Sequence, residues 1–566
     1  MEQKLLKRAL LAAAFFASFL AAAPAARADV NFYSRFPDNV LADRLVASMS
    51  DEELLGQIFL LGYSGFTVTP ELLAWIRDHG LGAVKIFGWN ANNLSELTAS
   101  ISTMQRAAHG NRLQIPLIIA TDQEGGWVRH IRGDTSITPG NMAIGATDLP
   151  EDAHRTGYYI GTELKALGIN MDFAPTVDVY SNPHADVIGS RSFGSDPVRT
   201  GLLSVAFFRG LKQVGIISTA KHYPGHGAAG SDSHLTLPVI PASLNLLWDR
   251  DLVPYRFLIK EGIPAIMAGH LAYPQITGKV WPATLSRYFE TQLLRERLGF
   301  QGLIVTDDLL MGGVQETGLT IQAICERAIQ AGDDLLMLSQ TPSLDSPVWT
   351  DLLARMHSDP DFRRLVADAA RHVVALKAAY LRGPKAVPLY PSPESVRAAL
   401  PDKPGEAFFF QQACRSVTLI AGSDLPLGSL TGKRVLLVGQ FGEFLSEGKR
   451  RYPNADVLPL PYDPFYWATK EEVHSLLAIA DHYQTIIFCL ANPNSVEALK
   501  ALKGTSARVV VISALSPVYL RGEPWVDSAI AVYGTGADSF AAGFAVLRGD
   551  FRPQGTLPIG FLDGEF

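Results

Sequence analysis

The chain has 566 residues, 47% hydrophobic and 19% charged, which is enough to bury two sizeable cores. Its formal net charge of −7 argues against nucleic acid or an anionic membrane surface as a partner. The three cysteines, Cys325, Cys414 and Cys489, lie far apart and allow at most one disulfide, so stability must come from ordinary cores.

At the N-terminus, Lys4, Lys7 and Arg8 precede an apolar run over 9–23, and Ala26-Arg27-Ala28 offers a small-residue cleavage pattern before Asp29. This predicts a signal peptide over residues 1–28 and an exported chain, periplasmic or secreted, that begins near Asp29. The run is too short and too Ala-rich for a transmembrane helix, and no cysteine follows the cleavage pattern to accept lipid, so no membrane partner is expected.

From about residue 50 to 380, short apolar runs alternate with amphipathic segments. The runs fall at 57–61, 83–87, 116–121, 170–173, 216–220, 264–268, 302–306 and 334–338, and their number predicts a TIM-type (β/α)8 barrel over 29–382. Asp122, Lys221, His222, His270 and Asp307 each stand just past the end of one of these runs, where barrel enzymes gather their catalytic groups. A Pro-rich stretch over 383–405 reads as a linker. Strand-like runs return at 434–438, 485–490, 508–513 and 529–533, with a helical segment at 470–480. They predict a smaller α/β sandwich domain with a parallel sheet over 406–566. Gly534-Thr535-Gly536 has part of a dinucleotide-binding pattern, but the third glycine is missing and the position is the end of the domain, so nucleotide binding is not expected.

The most informative segment is Lys221-His222-Tyr223-Pro224-Gly225-His226-Gly227, followed by Asp232-Ser233-His234. Pro224 and Gly225 forbid a helix, so His222 and His226 cannot make the one-face pair of a helical metal site, and no motif calls for a metal or an organic cofactor. A loop presenting an ammonium, imidazoles and a carboxylate suits a polyhydroxylated substrate and proton transfer to it; the bland alternative is a solvated loop with incidental histidines. Asp232 lies close enough to His234 to fix its tautomer, although the same spacing also serves as a loop staple. Asp307 ends a buried run, whereas Asp308 should face another way and suits an N-cap for the segment after it. Arg191 and Lys221 offer a planar fork and a point charge to hydroxyls, or ordinary ion pairing to a nearby carboxylate. Asp178 reads as a brace of the barrel, and His270 as either a mouth residue or a packed one. On residues alone, the search for a second catalytic carboxylate would begin at Glu124.

These motifs, with Asp122-Gln123-Glu124-Gly125-Gly126, Phe173-Ala174-Pro175-Thr176-Val177-Asp178, Ile188-Gly189-Ser190-Arg191-Ser192-Phe193 and Val305-Thr306-Asp307-Asp308-Leu309, resemble glycoside hydrolase family 3. They are most similar to its β-N-acetylglucosaminidase branch, in order over most of residues 45–380, and the C-terminal part is similar to the second domain of larger members. The resemblance implies a retaining exo-β-N-acetylhexosaminidase acting on peptidoglycan fragments or chitin oligosaccharides. It implies Asp307 as the nucleophile that forms a covalent glycosyl-enzyme, and His234 as acid/base oriented by Asp232, on a loop that Gly225, Gly227 and Gly230 leave free to move. The positions of Asp122, Arg191, Lys221 and His222 are implied sugar contacts. One position departs from the family: an arginine is usual eight residues after Asp122, where this chain has His130 between Arg129 and Arg132. Two other functions stay open. A β-glucosidase or β-xylosidase of the same family generally takes its acid from the second domain and lacks the histidine loop, and a non-catalytic glycan-binding protein should lack the nucleophile or the acid.

Overall fold

The computed structural model describes residues 30–422, 424–460 and 470–560; the expected signal peptide over 1–28 and the start at Asp29 lie outside the described residues. The eight runs become eight strands: β1 Phe59–Leu61, β2 Ala83–Lys85, β3 Ile118–Thr121, β4 Met171–Asp172, β5 Ile217–Tyr223, β6 Ala265–Ala268, β7 Leu303–Thr306 and β8 Leu336–Leu338. All neighbours pair in parallel, in the order β8-β1-β2-β3-β4-β5-β6-β7. An isolated bridge between Val305 and Leu335, with Thr306 N donating to Leu335 O at 3.0 Å, nearly closes the barrel.

Every residue of these strands is buried, because both faces are covered. Alternation sorts them: Leu60, Ile118, Ala120, Met171, Ile217, Ala265, Met267, Leu303 and Val305 share one cluster, whereas Phe59, Leu61, Val84, Ile119, Leu336 and Leu338 pack into another with the surrounding helices. Connecting helices are cut by local signals. In Pro197–Val214, Asp196 accepts from Val198 N and Arg199 N, Pro197 opens the first turn, and Gly215 at φ 91° stops the helix and returns the chain to β5.

The described residues of the second domain form six strands: β9 Thr418–Ala421, β10 Val435–Gly439, β11 Asp456–Pro459, β12 Thr485–Leu490, β13 Arg508–Ser513 and β14 Ser528–Ala531. They run in the order β9-β14-β13-β12-β10-β11. The sheet is mixed, not wholly parallel as expected, since β9 pairs antiparallel with β14 while the other pairs are parallel. The two edge strands had no clear sequence signal: each shows exposed or half-buried positions and lacks the continuous apolar run of a central strand.

The Pro-rich stretch is not plain coil. Ser392 and Ser395 form a capping box for a helix over Pro393–Ala399, Ser102 Oγ donates to Pro391 O at 2.9 Å, and Val396 and Leu400 join the apolar packing of the barrel. Further contacts tie the domains together. Arg415 Nη2 lies 2.6 Å from Asp152 Oδ1, and Gln412 Nε2 donates to Thr156 Oγ1 at 3.0 Å. Gly534 sits so near the barrel that a Cβ there would come within 3.1 Å of Pro139 O. The Gly-Thr-Gly segment is therefore an interdomain contact. No described helix is long and apolar enough to cross a membrane.

Candidate active site

A cleft of about 810 Å³ opens at the carboxyl ends of the barrel strands, lined by Asp122, Glu124, Lys221, His222 and Asp307 and, from the second domain, by Asn492 and Tyr519. Its floor is a network of buried charges. Asp122, directly after β3, receives the ammonium of Lys85 from the end of β2 and that of Lys221 from β5. Lys221 Nζ also lies 2.6 Å from Glu124 Oε1, and Arg191 forks onto Glu124 with Nε to Oε2 at 2.9 Å and Nη2 to Oε1 at 2.7 Å. Arg191 and Lys221 are thus ion-paired and also line the cleft. Burial would raise the Glu124 carboxyl, but Arg191 and Lys221 outweigh it and hold it down to about 2. Glu124, where a search for a second catalytic carboxylate would begin, is thus engaged as the ion-pair partner of Arg191 and Lys221. Burial likewise opposes ionisation of Asp122, and Lys221 and Lys85 overcome it, leaving Asp122 well below the usual carboxylate range.

The register of β5 shifts between Ala220 and Tyr223, and both Lys221 and His222 line the cleft, where strict alternation would separate them. His222 Nδ1 lies 2.8 Å from Asp178 Oδ2, and Arg191 Nη2 lies 3.2 Å from His222 Nε2. A guanidinium cannot accept, so Nε2 is the acceptor and Nδ1 carries the proton that Asp178 receives. Asp178 also accepts from His226 N at 2.6 Å; it braces the loop from below.

Asp307 follows β7. Its N–H donates to Ala268 O at 2.9 Å, and its Oδ1 accepts from Asp308 N at 2.8 Å. Burial pushes its carboxyl up, but His222, His270, His234 and the Asp308 N–H together bring it below the usual carboxylate range, so it stands ionised. Asp308 turns to the backbone and accepts from Leu310 N at 3.1 Å and Ser339 N at 3.0 Å. His270 is fully buried between Thr284 Oγ1 at 2.9 Å and Asp308 O at 3.0 Å, a packed residue and not one of the mouth.

Asp232 Oδ1 sits 2.7 Å from His234 Nδ1, with the imidazole largely exposed to the cleft. The bond to Asp232 raises the imidazole above its ordinary value; partial burial opposes this, and the Asp307 carboxylate reinforces it. The loop that bears the pair is docked on the segment that follows Asp307. Gly312 N donates to His234 O at 2.9 Å, Gly313 N to Ser233 O at 3.0 Å, and Leu237 N to Glu316 Oε2 at 2.8 Å. Beneath it, His226 Nε2 is 3.0 Å from Ser233 Oγ. A Cβ on Gly312 would meet Leu235 O at 2.2 Å, so the close approach needs glycine there.

His130 lines the cleft with its Nδ1 3.7 Å from Asp122 Oδ2; burial, aided by the Lys85 charge, lowers its imidazole to about 4 and keeps it neutral. Arg129 points elsewhere, toward Thr135 O at 3.5 Å and Ser136 O at 3.2 Å, and so does not supply the arginine that the family usually has nearby. The sequence reading missed Lys85, although a lysine at the end of an apolar run is the same signal that marked Lys221. It also missed Gly312, Gly313 and Tyr519, whose partners lie far away in the chain and leave no local pattern, and Asn492, whose local pattern is that of a helix cap.

Residues 52–376 match the glycosyl hydrolase family 3 N-terminal domain. The chain is similar to a beta-hexosaminidase A of Pseudoalteromonas piscicida, 38% identical over 288 residues that make up 48% of this chain and 48% of that one. It is similar to a beta-hexosaminidase of Neisseria meningitidis, 37% identical over 294 residues, 50% of this chain and 77% of that one. The match thus spans about half the length of the first of these relatives. Among solved structures, a glycoside hydrolase family 3 beta-N-acetylglucosaminidase from Paenibacillus sp. str. FPU-7 superposes with a TM-score of 0.81 at 26% identity, over 91% of this chain and 99% of that one.

Proposed function

Because the chain belongs to glycoside hydrolase family 3, we propose that it is a retaining exo-β-N-acetylglucosaminidase whose nucleophile is Asp307 and whose acid/base is His234. The observation that carries this reading is the juxtaposition of Asp307, a cleft-lining carboxylate held below its ordinary range by the imidazoles around it, with a cleft-facing imidazole that is docked on the same segment and made more basic by Asp232.

In the first step a carboxylate oxygen of Asp307 attacks the anomeric carbon and forms a glycosyl ester, while the proton of the His234 imidazolium passes to the departing glycosidic oxygen. In the second, neutral His234 takes a proton from water as that oxygen attacks the same carbon, which releases Asp307 and restores the imidazolium. Asp232 orients the ring and stabilises its charged form. Lys85, Lys221, Asp122, Arg191 and His222 hold the sugar ring, their mutual pairing keeping each head group fixed before the substrate arrives. Export to the periplasm or beyond, through a signal peptide over residues 1–28, would bring such an enzyme to peptidoglycan fragments or chitin oligosaccharides.

Proton NMR of the first-formed sugar tests the stereochemistry. Double displacement releases the β anomer, which then mutarotates; initial appearance of the α anomer would overturn the covalent route.

Two further outcomes follow from the electrostatics. Glu124→Gln weakens the Arg191 and Lys221 clamp without touching proton donation, so kcat/KM should fall by a similar factor, about tenfold or more, on glycosides with good and poor leaving groups. A loss confined to poor leaving groups would make Glu124 a proton donor after all. The alkaline limb of kcat/KM reports loss of the His234 proton, and the folded protein raises that pKa, so the active form persists above the ordinary imidazole range. Asp232→Asn removes the main cause of the rise and should move the limb to lower pH; an unmoved limb in the pH profile would separate it from His234.

A further inference from the structure

The reading above assigns the sugar that is cleaved off and leaves open what holds the other half of the substrate. We propose that the second domain builds a leaving-group subsite, centred on Asn492 and Tyr519, that accepts an uncharged sugar such as a second N-acetylhexosamine and disfavours one bearing a carboxylate. The inference rests on the hydrolase reading of the same cleft.

The cleft lies in the upper range of small-molecule sites, about 300–1,000 Å³, and has room beyond a single sugar ring. Its outer wall comes from two loops of the second domain: Asn492 and Asn494 follow β12, and Ser516 and Tyr519 follow β13. Both loops leave the carboxyl ends of parallel strands. In this sheet β11 lies to one side of β10, and β12, β13 and β14 to the other, so β12 borders the point where the order reverses. Open α/β sheets bind ligands at that point.

Tyr519 OH donates to Asp186 Oδ1 at 3.1 Å, in the barrel loop that leads to Arg191. In the same loop Asn182 Nδ2 donates to Ala228 O at 3.1 Å, at the start of the segment that carries Asp232 and His234. The second domain therefore abuts the side of the cleft from which the proton comes. The proton goes to the departing oxygen, so groups on this side meet the leaving group.

Asn492 Oδ1 accepts from Ser495 N at 2.9 Å as the cap of the helix Pro493–Ala501, while its Nδ2 has no hydrogen-bond partner among the described residues. That amide is a donor for a hydroxyl or an acetamide carbonyl. The cations lining the cleft are Lys85, Lys221 and Arg191, and Asp122 and Glu124 already engage them. The outer part presents Asp186 and Asp232, with His184 beside them. Among the described residues, a carboxylate on the leaving sugar would find no free lysine or arginine lining the cleft there and would face two acids.

The test uses the full chain and three substrates: nitrophenyl β-N-acetylglucosaminide, N,N′-diacetylchitobiose, and the matching disaccharide whose reducing sugar carries a lactyl carboxylate. The neutral disaccharide should exceed the anionic one in kcat/KM by about tenfold or more. Asn492→Ser keeps a capping oxygen but removes the amide, and Tyr519→Phe removes only the hydroxyl. Each should lower the ratio of kcat/KM on diacetylchitobiose to that on the aryl glycoside by about fivefold, with the thermal transition recorded to show that the variants fold. Equal or better turnover of the anionic disaccharide, or an unchanged ratio in both folded variants, would overturn the subsite. Failure on all three substrates, the aryl glycoside included, would instead overturn the hydrolase reading and this inference with it.

Discussion

Asp307→Ala is expected to lower kcat on nitrophenyl β-N-acetylglucosaminide by about 10⁴-fold or more, because the variant has no atom to form the glycosyl ester. Binding should suffer far less, since Lys85, Lys221, Asp122 and Arg191 keep their mutual pairs and do not depend on Asp307 for position. The fold should survive as well: the variant removes a charge faced by imidazoles that have other partners, His222 on Asp178 and His270 on Thr284. A small external nucleophile distinguishes loss of the nucleophile from general damage. Azide entering the vacated space would attack the face that Asp307 attacked and give the α-glycosyl azide, with activity partly restored. Near-normal turnover without azide would remove Asp307 from the role.

His234→Ala carries the second large effect, and its size depends on the substrate. A positioned general acid is worth about 10²–10⁴-fold when the leaving oxygen needs a proton, so a natural disaccharide should show a loss of that order. On a dinitrophenyl glycoside, whose leaving group departs as the anion, the first step should be nearly spared, so the loss in kcat/KM should be small while kcat falls with the second step. The glycosyl-enzyme then accumulates because the base for the second step is missing, and intact-protein mass spectrometry should find one N-acetylhexosamine on Asp307. Equal losses in kcat/KM on both substrates would make His234 a structural residue.

The fold was legible because the barrel strands are buried on both faces and read as continuous apolar runs with a polar residue at the carboxyl end. Edge strands Thr418–Ala421 and Asp456–Pro459 were not, since half-exposed positions break the run. At the site, Asp232 and His234 are two residues apart and their pairing could be foreseen from spacing. The pairing of Lys221 with Glu124 joins distant positions, and only the folded chain shows that Glu124 is held between Lys221 and Arg191. The resemblance to a family, not the spacing, singled out a histidine as the acid. Gly225, Gly227 and Gly230 suggested a loop free to move, whereas its docking on Gly312 and Gly313 depends on a segment nearly eighty residues on.

The most direct test of the central claim is hydrolysis of nitrophenyl β-N-acetylglucosaminide beside nitrophenyl β-glucoside by the chain from Asp29 onward, with Asp307→Ala as control. The account predicts a clear preference for the acetamido sugar that disappears in the variant. Preference for the glucoside, or sugar binding without turnover of either compound, would contradict it and return the weight to a β-glucosidase or to a glycan-binding protein.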